Sequence, residues 1–252
     1  MKHQKFQIET DDLEGASLQA EIAMPRECLT EDVAKTLVVF LHDFPYSHSH
    51  DHNDLYGMLR DLFSERGLHT LLFDFQSCGE SEGREEEFTL HAARENIRRV
   101  LKWARRQGYE EYIFVASGSA AALALEEAGK NTNSVFLFWP VVDLAAHART
   151  LFYEEDGKTV AAKGRKLGGD LLLQMESYKP ESALKTPSSP ILIQYGAEDD
   201  IVKSGQIDTI RKGYKGPRLD ITSYADGQRG LSDPRHRQML AHHVRAFLDK
   251  YA

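Results

Sequence analysis

The chain has 252 residues, 41% hydrophobic and 28% charged, with a formal net charge of −8, enough for one α/β domain with a sizeable core. This acidic balance leaves no basic stripe for nucleic acid and disfavours an anionic membrane surface. Two cysteines, Cys28 and Cys78, are too few for a disulfide framework, and neither a signal peptide nor a membrane span is visible, so a cytoplasmic protein is expected.

No internal repeat or linker interrupts the chain. Apolar strand-like runs alternate with amphipathic helical ones, the pattern of a mostly parallel sheet with helices on both faces. Phe6–Glu9 and Leu18–Ala23 read as an opening antiparallel pair, and Thr36–Leu41 as a buried strand. A helix near Asn53–Arg66 carries Leu55, Met58, Leu59, Leu62 and Phe63 on one face. The strand Leu68–Phe73 follows, then a helix over Thr89–Arg106, whose basic run Arg98, Arg99, Lys102, Arg105 and Arg106 reads as a solvated face. Ser134–Trp139 is a further strand. Residues 143–189 are less regular and read as a cap insertion over the carboxyl ends of the strands, with 166–173 either a short hairpin or a helix. Leu171, Leu172, Met175 and Tyr178 read by default as core packing, with an apolar lid as the alternative. Ile191–Tyr195 and Leu219–Ser223 are the last strands. The closing helix Asp233–Tyr251 is capped by Ser232 and turns Met239, Leu240, His243, Val244, Phe247 and Leu248 inward.

Most informative is Phe114-Val115-Ala116-Ser117-Gly118-Ser119-Ala120-Ala121-Ala122, a strand running into a small-residue helix. Ala116 and Ala120 supply the small neighbours that a nucleophile elbow requires two residues either side of its apex. The apex itself is Gly118, which has the backbone freedom for the turn and no hydroxyl. Other stations follow in order: Leu41-His42-Asp43-Phe44; Phe73-Asp74-Phe75-Gln76-Ser77-Cys78-Gly79-Glu80-Ser81-Glu82-Gly83; Tyr195-Gly196-Ala197-Glu198-Asp199-Asp200; and Ala225-Asp226-Gly227-Gln228-Arg229-Gly230.

Together these stations resemble the α/β-hydrolase family, most closely its bacterial cinnamoyl/feruloyl-esterase-like and acyl-aminopeptidase-like branch. The resemblance runs from about Thr36 to the C-terminus and implies a single α/β-hydrolase domain over residues 1–252. It also implies an oxyanion loop at His42–Phe44, with Ser77 standing where the next turn has its first glycine. The catalytic serine, acid and histidine map onto Gly118, Asp199 and Arg229. An arginine stays protonated and cannot act as general base. The oxyanion donors would be the Phe44 and Ser119 amides, and an Asp43 carboxylate beside them would oppose an oxyanion unless it pointed away. Arg229 and Asp199 are expected to pair, either as a structural bridge or with the guanidinium offered to a ligand. These departures imply a non-hydrolytic protein that binds a small ligand or a protein partner, with no cofactor.

Two alternatives accompany that reading. Ser119, with Ser117 and Ala121 as small neighbours, would serve as a displaced nucleophile for an esterase or amidase. His236, the histidine nearest downstream, reads as a surface residue. His48-Ser49-His50-Asp51-His52, with His42 upstream, would bind a metal if the loop were extended, although its spacing fits a polar loop as well. Cys78 reads as an ordinary thiol, and Trp139-Pro140 as packing beneath the cap, with the lining of a ligand pocket as the alternative.

Overall fold

The computed structural model describes residues 1–9, 16–25, 34–44, 55–155, 158–161, 165–184, 188–203 and 205–251. Strands β1 (Lys2–Ile8) and β2 (Leu18–Met24) pair antiparallel, with Phe6 opposite Ala20. β1 lies at the sheet edge and is mostly exposed, and its Lys2 and Lys5 are the charges that keep such an edge from pairing with other chains. β3 (Thr36–Leu41) is buried at every position, as a strand covered on both faces must be. Helix α1 (Leu55–Ser64) buries Leu55, Leu59, Leu62 and Phe63. β4 (His69–Phe73) precedes α2 (Leu90–Arg106), whose N-cap Thr89 hydroxyl accepts the Ala92 amide. β5 (Glu111–Ser117), α3 (Ala120–Glu127) and β6 (Thr132–Phe138) follow.

Between β6 and the next sheet strand come α4 (Leu144–Leu151), the hairpin β7 (Phe152–Glu155) and β8 (Lys158–Ala161), α5 (Gly169–Glu176) and α6 (Pro180–Leu184). Of the two readings of 166–173 the helix stands, entered at Gly169 and burying Leu171 and Met175, while the hairpin lies upstream. β9 (Ile191–Gly196), α7 (Asp200–Lys203), α8 (Gln206–Gly213), β10 (Leu219–Tyr224) and α9 (Pro234–Tyr251) complete the chain.

The main sheet runs β1-β2-β4-β3-β5-β6-β9-β10. All neighbours from β4 to β10 are parallel, and β2 meets β4 antiparallel. The chain steps from β3 to β4 on one side and returns to β5 on the other, so the strand order reverses between β3 and β5. Loops diverge at such a reversal and leave a crevice at the carboxyl ends of the strands. Leu41 of β3 is in register with Ala116 of β5, which brings the loops carrying Asp43 and Gly118 side by side.

The closing helix corrects three sequence expectations. Asp233, not Ser232, caps it: the Asp233 carboxylate accepts the Arg235 amide at 2.8 Å, with Pro234 in the first turn where its missing N–H costs nothing. The buried stripe runs through His236, Leu240, Ala241, Val244, Phe247 and Leu248. Met239, about 100° round the helix from Leu240, is instead 50% exposed. His236 is buried rather than on the surface, because it falls on that stripe; its Nε2 lies 2.8 Å from Asp226 and its ring packs on Tyr224. Among the described residues no helix is long and apolar enough to cross a membrane.

Candidate functional site

The elbow is built by backbone bonds to the neighbouring strand. The Gly118 amide donates to the Phe138 carbonyl at 3.1 Å, and the Val141 amide donates to Gly118 at 2.9 Å. Gly118 has φ +52°, the left-handed turn of an apex, whereas Ser119 is already helical at φ −68°. Ser119 is fully buried, and its hydroxyl has no hydrogen-bond partner among the described residues. Beneath the elbow, the Tyr56 hydroxyl donates to the Leu41 carbonyl at 2.9 Å and is hydrogen-bonded to the Ser117 hydroxyl at 2.8 Å, tying β3 to β5. Burial raises the Tyr56 pKa, so the phenol stays protonated as this donor role requires.

The loop carrying Asp199 and the loop carrying Arg229 meet backbone to backbone. The Glu198 amide donates to the Gly227 carbonyl at 2.9 Å, and a Cβ at Gly196 would lie 2.1 Å from that same oxygen. Only glycine allows this approach, and it delivers Arg229 to Asp199. Asp199 Oδ1 accepts the Ile201 and Val202 amides at the start of α7, which fixes the carboxylate. Its Oδ2 then accepts Arg229 at 3.2 Å.

Of the two orientations open to Asp43, the structure takes the one that opposes an oxyanion: the carboxylate points at the Ser119 amide. Oδ1 accepts the Ser119 amide at 2.8 Å, and Oδ2 accepts the second Arg229 nitrogen at 2.5 Å. A Cβ built on Gly118 would sit 2.0 Å from the Asp43 carboxyl carbon. The carboxylate thus fills the space where an apex side chain would begin. Arg229, where the resemblance implies a histidine, gives this carboxylate a counter-charge. The result is a chain Ser119 amide–Asp43–Arg229–Asp199, with Asp43 5% and Asp199 2% exposed while the Arg229 side chain keeps 29%. Burial alone would lower the Arg229 pKa; Asp43 and Asp199 outweigh it and hold the guanidinium above its ordinary range. Arg229 is thus shared between two carboxylates.

Around it, Phe44 is fully buried against Phe75 and Phe88. His42 Nε2 accepts the Phe75 amide at 3.0 Å, so the proton is assigned to Nδ1, which faces the Asp43 carbonyl at 3.0 Å. With both ring nitrogens used, His42 is neutral and holds the Asp43 main chain. The 48–52 histidine loop lies outside the described residues. Ser77 adopts φ +67°, the backbone that favours the glycine implied there by the resemblance. Cys78 is buried, and its thiol is pushed up to about 12, chiefly by burial. That makes it unreactive at neutral pH.

Sequence reading missed His147. It lies on the buried face of α4 with Leu144, Ala148 and Leu151, and its Nδ1 is 2.9 Å from the Thr150 hydroxyl. The helical spacing of an imidazole among apolar residues was the available signal. Burial lowers its pKa to about 4, with Asp43 acting to raise it and Arg229 to lower it. The folded state therefore refuses a proton that the unfolded chain accepts below its ordinary 6.5. Stability should fall as pH drops through this window, by up to about 3 kcal/mol from this residue. Urea denaturation at several pH values, wild type against His147→Gln, should show that extra loss only in the wild type.

Neither a protein-family model nor a curated protein matches the chain. Solved structures do match. Ferulic-acid-bound Est1E from Butyrivibrio proteoclasticus superposes with a TM-score of 0.81 at 21% identity, covering 98% of both chains. The esterase domain of a Rhodothermus marinus protein gives 0.74 at 19%, covering 100% of this chain and 99% of its own. Mouse alpha/beta hydrolase domain-containing protein 10 gives 0.74 at 14%, covering 98% and 99%. With its elbow at the reversal of strand order and its whole length superposing on such proteins, this chain has the α/β-hydrolase fold.

Proposed function

We propose that this protein is a non-hydrolytic member of its fold that binds a small ligand or a protein partner at the old catalytic crevice. The observation that carries this reading is the Asp43 carboxylate at the seat of attack, held by the Ser119 amide and Arg229. Acyl transfer needs a nucleophile, a base that accepts its proton and donors left vacant for the oxyanion. Here the nucleophile's space is filled, the base position is permanently cationic and the Ser119 donor is in use. A fluorophosphonate probe should leave the wild-type protein unlabelled, and a panel of p-nitrophenyl esters should turn over no faster than in buffer. Labelling of any serine, with turnover lost on its replacement by alanine, would overturn this reading.

Slow ester hydrolysis through Ser119 is the second reading. The esterase neighbours favour it, while the burial and helical backbone of Ser119 weigh against it. The Ser119→Ala variant in the same panel separates the two.

A further inference from the structure

We infer that Asp43 is an internal ligand: the Ser119 amide and the Arg229 guanidinium form a receptor for a small carboxylate, filled by the chain's own side chain in competition with external carboxylates. This rests on the non-hydrolytic reading and names the ligand class of that site. The two donors come from different loops, one after β5 and one after β10, and converge on the two oxygens of a single carboxyl group at 2.8 and 2.5 Å. Charge-assisted bonds of this kind favour a carboxylate over a neutral carbonyl. Asp199 is fixed by the Ile201 and Val202 amides and keeps its bond from Arg229, so the guanidinium stays at the crevice when Asp43 leaves. Arg229 is also the member of the chain that solvent reaches.

His42 holds the Asp43 main chain, so displacement would act through the Asp43 side chain. The competition sets the affinity. A site occupied by its own side chain binds an external ligand more weakly in proportion to the fraction of time it stands open. A displaced Asp43 also adds a third carboxylate near one guanidinium, which weakens external binding further.

The test uses acetate and 3-phenylpropionate, with their primary amides as controls, titrated calorimetrically at constant ionic strength. Asp43→Ala should bind the carboxylates at least about tenfold more tightly than the wild type, with no gain for the amides. Adding Arg229→Gln should remove the gain. Equal carboxylate affinity in wild type and Asp43→Ala, or a gain that survives Arg229→Gln, would overturn the proposal. If Asp43→Ala does not fold, Asp43→Ser takes its place, and isotope-edited NMR of the Asp43 carboxyl carbon reports on the wild type. That resonance should shift as carboxylate is added; a resonance unmoved at the highest soluble concentration refutes displacement. Failure here leaves the fluorophosphonate result intact, whereas serine labelling would defeat the non-hydrolytic reading whatever the carboxylates do.

Discussion

The combined variant Asp43→Gly/Gly118→Ser/Arg229→His should hydrolyse p-nitrophenyl acetate at least about a hundredfold faster than the wild type, a modest share of what a complete triad contributes. Each substitution removes one obstacle. Serine at 118 supplies the hydroxyl at an apex that already has the required positive φ. Glycine at 43 clears the carboxyl group that would otherwise lie 2.0 Å from the new Cβ and frees the Ser119 amide for the oxyanion. Histidine at 229 supplies the proton acceptor beside Asp199, which the Ile201 and Val202 amides already orient. Triad members act as a unit, so single and double variants should stay at the wild-type rate. Gly118→Ser alone should also lose about 1–3 kcal/mol of stability through overpacking and backbone strain. Steady-state kinetics with circular dichroism as a folding control measures this. A folded but inert triple variant would mean that the mapping of position 229 onto the base is wrong.

Arg229→Ala should destabilise the fold by about 3–5 kcal/mol, because it takes the guanidinium from two buried carboxylates at once. Asp199, held by the start of α7, cannot turn to water, and Asp43 reaches it only by giving up the Ser119 amide. Arg229→Lys should recover only part of the loss, since one ammonium does not reproduce a fork that reaches two acceptors at once. Combining Arg229→Ala with Asp43→Gly should cost less than the sum of the two, because it removes one of the stranded charges. Urea denaturation of the wild type, the three single variants and the double variant reads these differences. A loss under about 1 kcal/mol for Arg229→Ala would class the pairs with surface salt bridges and deny them a role in holding the loops together.

The strands and helices were legible because they rest on local periodicity. Thr36–Leu41 is apolar at nearly every position and is buried at every position. The inward face of α1 follows from Leu55, Leu59, Leu62 and Phe63. Where a local pattern admits two phases, reading it was less secure. On α9 the apolar Met239 faces solvent while His236 takes the buried stripe, since the rotation of a helix is set by what it packs against. His147 escaped notice for a related reason: one imidazole in an apolar face carries no sign that it sits near two charged groups contributed by distant loops.

The amino-acid sequence alone determined the alternation of elements, the elbow with glycine at its apex, and the presence of an arginine and two aspartates in the loops around it. Each of these follows from residue type and spacing within a short window. Only the tertiary structure decided that the Asp43 carboxylate turns into the crevice, takes the Ser119 amide and shares Arg229 with Asp199. The direction of a side chain in a loop depends on which partners other loops bring within reach, and here positions 43, 118, 199 and 229 meet only when the sheet assembles in its reversed order.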